Sequence, residues 1–397
     1  MIFEDSAEWA RAQDAADELA PLRNEFLFPE ATPLYFAGHS LGLQPRRARE
    51  YVVQELDDWA RHGVEGHFAA RNPWVSYHEL LTASTARLTG GLPHEVVVMN
   101  TLTVNLHLLM VSFYRPRPGK FRILIESGAF PSDRYAVASQ ARFHGHADAV
   151  IESDDPLRTL QEQGDGIALA LIGQPNYLTG RAFDAPALVR AAHAAEAFIG
   201  FDLAHGAGNL ELRLHGWGPD FAAWCNYKYL NAGPGGLGGV FVHERHHGTD
   251  LPRFEGWWGH DKEKRFEMGA SFSPIAGAEA WQLSNPPILQ LAALRASMEL
   301  FDRATMPALR RKGDRLTGYL EWLLKRRGVD VLTPAGRGSM LTVRFRKDAL
   351  ALMEALQHRG AIVDLRPPDI VRITPAPLYN SFADVQRLCA LIGELHG

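Results

Sequence analysis

Five short apolar runs, separated by stretches of helical periodicity, constrain this chain more than any other feature. They are Phe121-Arg122-Ile123-Leu124-Ile125, Ile167 to Ile172, Ala197 to Phe201, Phe221 to Cys225 and Leu237 to Val242. Each is too short for a buried helix and too continuously apolar for a strand with one wet face, so both faces must be covered. Alternation of such runs with helices predicts an α/β fold, a mostly parallel sheet with helices packed on both sides. One connecting helix carries its own start signals: Asp184 offers an N-cap, Pro186 lies in the first turn, and Leu188, Val189 and Ala192 face the core. An earlier helix is expected from about Arg46. Val52, Val53, Leu56, Trp59 and Ala60 keep helical spacing there, and Gly63 follows Arg61 and His62 at the negative end.

The pattern changes towards the C-terminus. Long helical segments, Ile288 to Met306 and Leu309 to Leu324, lead into strand-like Ser339 to Phe345. A helix over Leu350 to His358, extended stretches at Ala361 to Leu365 and Ile370 to Thr374, and a last helix from about Phe382 complete a smaller α+β domain. The expected divisions are residues 1–60, an N-terminal segment and helix joining the small domain; 61–287, the large domain; and 288–397, the small one.

Sheets of this kind bind ligands beyond the carboxyl ends of their strands. Asp202 closes the third run, in Asp202-Leu203-Ala204-His205, and Lys228 follows the fourth, before Gly233-Pro234-Gly235-Gly236. A lysine amine there can form a Schiff base with the aldehyde of pyridoxal 5'-phosphate, while an acid keeps the pyridine nitrogen protonated so that the ring accepts electrons. A lysine beside glycines is ordinarily a solvated loop residue; the strand-end placement of both residues favours the cofactor. Leu102 and Thr103 precede an apolar helical run, where a helix N-terminus attracts phosphate, or where Thr103 simply caps. Phe130-Pro131-Ser132-Asp133 offers a ring, a hydroxyl and a carboxylate, or else a turn with an Asp cap.

A net charge of −5 and a pI near 6.4, with no basic stripe, argue against a nucleic-acid partner. Cys225 and Cys389 are the only cysteines, which excludes a disulfide framework and a thiolate zinc site. His243, His246 and His247, interleaved with Glu244 and Arg245, read as a solvated loop, so no metal is expected. The first residues lack the basic and apolar regions of a secretion signal, and no run approaches the ~20 apolar residues of a membrane span. A cytoplasmic protein acting on a small molecule is the expectation.

The blocks Tyr35 to Pro45, Met99 to Met110, Phe130 to Asp133, Phe201 to Leu214, Trp224 to Gly236, Gly256-Trp257, Ser284 to Pro287 and Arg372 to Phe382 resemble, in order, the kynureninase family. These are fold type I pyridoxal phosphate enzymes of tryptophan catabolism that hydrolyse kynurenine, or its 3-hydroxy form, to anthranilate, or 3-hydroxyanthranilate, and alanine. The resemblance covers nearly the whole chain. It implies that Leu102, Thr103, Phe130, Pro131, Ser132, Asp133, Asp202, His205, Tyr227, Trp257 and Asn285 contact the cofactor on Lys228, with Tyr227 and Asp202 sharing in catalysis. It implies further that Arg372 takes the substrate α-carboxylate, with His67 and Asn285 near the substrate, and that a homodimer shares its sites. His39 stands where much of the family has Asn. A class V aminotransferase or a cysteine desulfurase shares the Asp-x-x-His and later Lys pattern, but a desulfurase needs a mobile Cys that neither Cys225 nor Cys389 supplies. A catalytically silent regulatory protein on this fold is the remaining alternative, and the intact Lys228, Asp202 and Tyr227 argue against it.

Overall fold

The computed structural model describes residues 2–346 and 348–396. Its centre is a seven-stranded sheet built from Val96–Met99 (β1), Arg122–Glu126 (β2), Val150–Ser153 (β3), Ile167–Gly173 (β4), Phe198–Asp202 (β5), Phe221–Cys225 (β6) and Gly238–Val242 (β7), in the order β1-β7-β6-β5-β4-β2-β3. Strand β7 runs antiparallel to β1 and β6, and the other pairings are parallel. All five expected runs are strands, with ends moved by at most a residue. Every residue of β1, β6 and β7 is buried, as strands covered on both faces require. The sequence reading missed β1 and β3: each has only four residues, and β3 is a half-buried edge strand carrying Glu152.

Two helices show what local pattern does and does not determine. The helix Ala185–Ala194 starts as expected, with Asp184 Oδ1 accepting the Ala187 N–H at 3.0 Å. The helix Ala48–His62 ends at Gly63, whose φ of 57° lies in the left-handed region that favours glycine. This second helix buries Ala48, Tyr51, Glu55 and Asp58, while Val53, Leu56 and Trp59 face outward, Trp59 at 62% exposure. The inward acids are satisfied: Glu55 accepts Trp74 Nε1–H at 3.0 Å, and Asp58 accepts the Arg71 N–H at 3.1 Å.

A second, antiparallel sheet contains Asp330–Val331 (β8), Leu341–Arg344 (β9), Asp364–Arg366 (β10) and Ile370–Ile373 (β11), ordered β8-β9-β11-β10. Its core draws on Leu316, Leu320 and Leu324 of the helix Met306–Arg326 and on Ala10, Leu34 and Phe36 from the N-terminal segment. The helix Ile288–Ala304 places Leu291, Ala292 and Leu294 in one core with Tyr51, Tyr77 and Leu81, because its apolar face meets the helix Ala48–His62. Among the described residues, no helix is long and apolar enough to cross a membrane.

Candidate active site

The carboxyl ends of the parallel strands open on one cavity of about 220 Å³, lined by Leu102, Thr103, Glu126, Phe130, Ser132, Asp133, Tyr177, Asp202, His205, Tyr227 and Lys228 among others. Lys228 enters from the turn after β6. That turn is closed by the Asn226 N–H on Leu237 O at 3.1 Å and the Ala232 N–H on Asn226 O at 3.0 Å. The loop through Gly42 braces it, with the Gly42 N–H on Tyr227 O at 2.9 Å; a Cβ at Gly42 would lie 2.3 Å from Lys228 O, so only glycine fits this approach. Lys228 Nζ lies 3.4 Å from His205 Nε2 and 5.9 Å from the centre of the Phe130 ring. Burial, then the charge of Lys228, pushes the His205 imidazole well below its usual range, so the ring is neutral.

Three carboxyls converge opposite the lysine. Asp202, at the end of β5, is 5% exposed and accepts the Ala204 N–H at 2.7 Å. Asp133 shares a hydrogen bond with Asp202; burial and that neighbour push it well above the usual carboxylate range. Glu126, at the end of β2, accepts the Gly173 N–H at 2.9 Å and reaches Asn176 Nδ2 at 3.4 Å. Burial is the main cause that pushes its carboxyl up to about 7. Asp133 is therefore no helix cap: Phe130 is the N-cap of the helix Pro131–Phe143, and the acid points to the cavity.

The cavity lining also includes groups that suit an anion. Thr101 is the N-cap of the helix Leu102–Phe113, so Thr103 lies inside its first turn rather than capping it. The Thr103 hydroxyl instead meets Ser132 Oγ at 2.8 Å, and both stand beside the first N–H groups of a 12-residue helix. An acid surplus, hydroxyls beside a helix N-terminus, and an amine lining one cavity fit a group with a cationic ring and a phosphate. The residues present thus fit pyridoxal phosphate.

Five expected contacts do not line this cavity. Pro131 is exposed in the first turn of its helix. Trp257 donates Nε1–H to Arg265 O at 2.9 Å beside Phe266, outside the cavity. Asn285 is exposed before the helix Ile288–Ala304, and His67 packs its ring on Trp74 with Nδ1 2.9 Å from Val64 O. Arg372 is 2% exposed and already pairs with Asp364; it donates to Tyr177 O at 3.0 Å and to Ser40 Oγ at 3.3 Å. Its Nε is a buried donor without a partner among the described residues. Sequence reasoning missed Glu126 and Tyr177 in the lining, and Asp364 and Ser40 around Arg372.

The histidines after β7 are not a solvated loop. His246 is 2.8 Å from Asp220, His247 Nε2 lies 3.0 Å from Val242 O, and His243 packs with His215 beside buried Glu95. The oxygens of Glu95 already accept the N–H groups of Leu92 and Glu244, both at 2.9 Å. Both cysteines are buried, and burial pushes the Cys225 thiol up and the Cys389 thiol up to about 12, so neither is a thiolate nucleophile.

Residues 309–392 match the family model described as the kynureninase C-terminal domain. A protein named kynureninase from Myxococcus xanthus is 60% identical over 97% of this chain and 96% of its own length. The fold is also that of solved structures: a C-DES variant with glycine covalently linked to its pyridoxal phosphate (TM-score 0.79, 17% identity, 93% of this chain, 98% of that one) and a cysteine desulfurase from Escherichia coli (TM-score 0.79, 18% identity, 95% and 98%).

Proposed function

The chain belongs to the kynureninase family, and on that premise we propose that it hydrolyses L-kynurenine to anthranilate and L-alanine with pyridoxal 5'-phosphate as cofactor. When bound, the cofactor supplies an aldehyde for a covalent link to an amine and a cationic ring that withdraws electrons from the substrate α-carbon. The single observation that carries the reading is Lys228 and Asp202 facing one cavity from the ends of neighbouring parallel strands, β6 and β5.

Each side chain then has a task its surroundings support. Lys228 holds the cofactor and, once released, takes the α-proton at Nζ, beside neutral His205, which cannot compete as a cation. Asp202 faces the ring nitrogen, while protonated Asp133 donates to Asp202 and keeps it in place. Leu102, Thr103 and Ser132 bind the phosphate, and Phe130 covers a ring face. Burial keeps the Tyr227 hydroxyl protonated, so it can protonate the alanyl fragment left once anthranilate has departed. Arg372 takes the α-carboxylate through its free Nε edge, sharing its charge with Asp364.

The outward stripe of Val53, Leu56 and Trp59 continues through exposed Val64, Phe68 and Leu80, an apolar surface that a second copy would cover in a homodimer. Trp257, Asn285 and His67, all outside their own cavity, would then serve the neighbour's site. A cytoplasmic location goes with this reading. Purified protein supplied with pyridoxal phosphate and L-kynurenine should release fluorescent anthranilate with no keto acid present, with 3-hydroxykynurenine as a competing substrate. Turnover only with a keto-acid acceptor would make it an aminotransferase instead.

A further inference from the structure

Away from the Lys228 cavity, the short helical segments Trp74–Leu81 and Ala278–Trp281 bring His78, Glu79 and Glu279 together. One ligating atom from each lies within 4.8 Å of the other two. Buried neighbours fix two of the three: Tyr77 and Leu81 anchor the backbone around His78, and Ala278, Ala280 and Trp281 anchor it around Glu279. Glu79 is exposed and can swing towards them.

His78 is the anomaly. It is 2% exposed, yet neither of its ring nitrogens has a hydrogen-bond partner among the described residues. Buried polar groups are almost always satisfied, so an orphaned imidazole calls for a ligand. Its Nε2 stands 3.4 Å from Glu279 Oε2 but outside hydrogen-bond geometry. Two ligands each ~2.0–2.2 Å from one tetrahedral ion are held about 3.4 Å apart, which is the spacing seen. A cation already reaches the same oxygens: Lys262 Nζ is 2.7 Å from Glu279 Oε2 and 2.8 Å from Glu79 Oε1. The cluster of Glu95, His215 and His243 lacks such an orphan. Its Glu95 oxygens accept two backbone N–H groups, and His243 Nδ1 accepts the Arg245 N–H at 3.2 Å.

We propose that His78, Glu79 and Glu279 bind one divalent ion of the zinc type, with water as fourth ligand and Lys262 as a tethered competitor for the two carboxylates. One imidazole and two carboxylates suit such an ion, whereas calcium and magnesium prefer oxygen ligands alone. Two carboxylates neutralise its double charge. The Lys262 ammonium, already partly exposed, passes into water when the metal enters. None of these residues lines the Lys228 cavity, so the site stands apart from the hydrolytic reading.

Chelator-treated holoenzyme dialysed against zinc chloride should retain one Zn2+ per chain by elemental mass spectrometry. Cobalt(II) in its place should show the intense visible bands of a tetrahedral ion. Glu79→Gln, at an exposed side chain that the fold does not depend on, should weaken zinc binding at least about tenfold, as loss of a ligand must. Lys262→Met keeps the apolar stem and removes the ammonium. It should tighten binding roughly 2- to 30-fold, since two partly exposed ion pairs no longer compete. His215→Ala, in the other cluster, should change nothing. Less than one zinc per chain, cobalt without tetrahedral bands, zinc binding unaffected by Glu79→Gln, or zinc lost in His215→Ala would overturn the site. Binding unchanged or weaker in Lys262→Met would overturn the competition.

Discussion

Replacing Glu126 by glutamine should stabilise the cofactor-free protein at neutral pH and erase a pH dependence that the wild type carries. The Glu126 carboxyl is 3% exposed and titrates at about 7, against an ordinary value of 4.5. An acid whose folded value is raised binds its proton more tightly in the folded chain, so its contribution to stability is complete below about pH 4.5 and is lost as pH rises through about 7. A gap of roughly 2.5 units at ~1.36 kcal/mol each amounts to roughly 3 kcal/mol. Glutamine mimics the protonated form and loses nothing over that interval. Urea unfolding of both cofactor-free proteins from pH 4.5 to 8 should therefore give equal stabilities at the acid end and a glutamine variant more stable by roughly 3 kcal/mol at the alkaline end. With cofactor bound, the gap should narrow, because a cationic ring at Asp202 offsets the crowded negative charge. A difference that is flat across this range, or a glutamine variant less stable at pH 8, would refute the argument that burial among acids sets this carboxyl.

Arg372→Ala removes hydrogen bonds to a carboxylate that are worth ~1.5–3 kcal/mol, so steady-state kinetics should show KM for L-kynurenine raised about 10- to 100-fold with a smaller change in kcat. If Trp257 serves the neighbouring site, Lys228→Ala and Trp257→Ala, each inactive alone, should recover about a quarter of wild-type activity after their subunits are exchanged, since half the dimers would be mixed and each mixed dimer holds one intact site. No recovery, with mixed dimers present, would place Trp257 in its own chain's site or in none.

The strand ends were legible in the sequence because Asp202, His205, Tyr227 and Lys228 each follow directly on a continuous apolar run, and a parallel sheet brings such ends together. Glu126 was not, although it terminates just such a run: only the pairing of β2 with β4 sets it beside Gly173 and the other acids. The partner of Arg372 depends on a longer-range event still, the register of β10 on β11 that places Asp364 opposite Arg372. Helical spacing grouped Val53, Leu56 and Trp59 on one face but carries no information on what covers that face. The alternative of Thr103 as a cap rested on a threonine before an apolar run usually being one; the helix starts two residues earlier than that cap requires, and the hydroxyl is left for Ser132 and the cavity.

The central claim is the covalent attachment of the cofactor at Lys228. Borohydride reduction of the pyridoxal phosphate-loaded protein, followed by peptide mass mapping, tests it most directly. The account predicts one phosphopyridoxyl group per chain, on the peptide containing Lys228, and none in Lys228→Ala. A label on another lysine, or no label in protein that releases anthranilate, would contradict it.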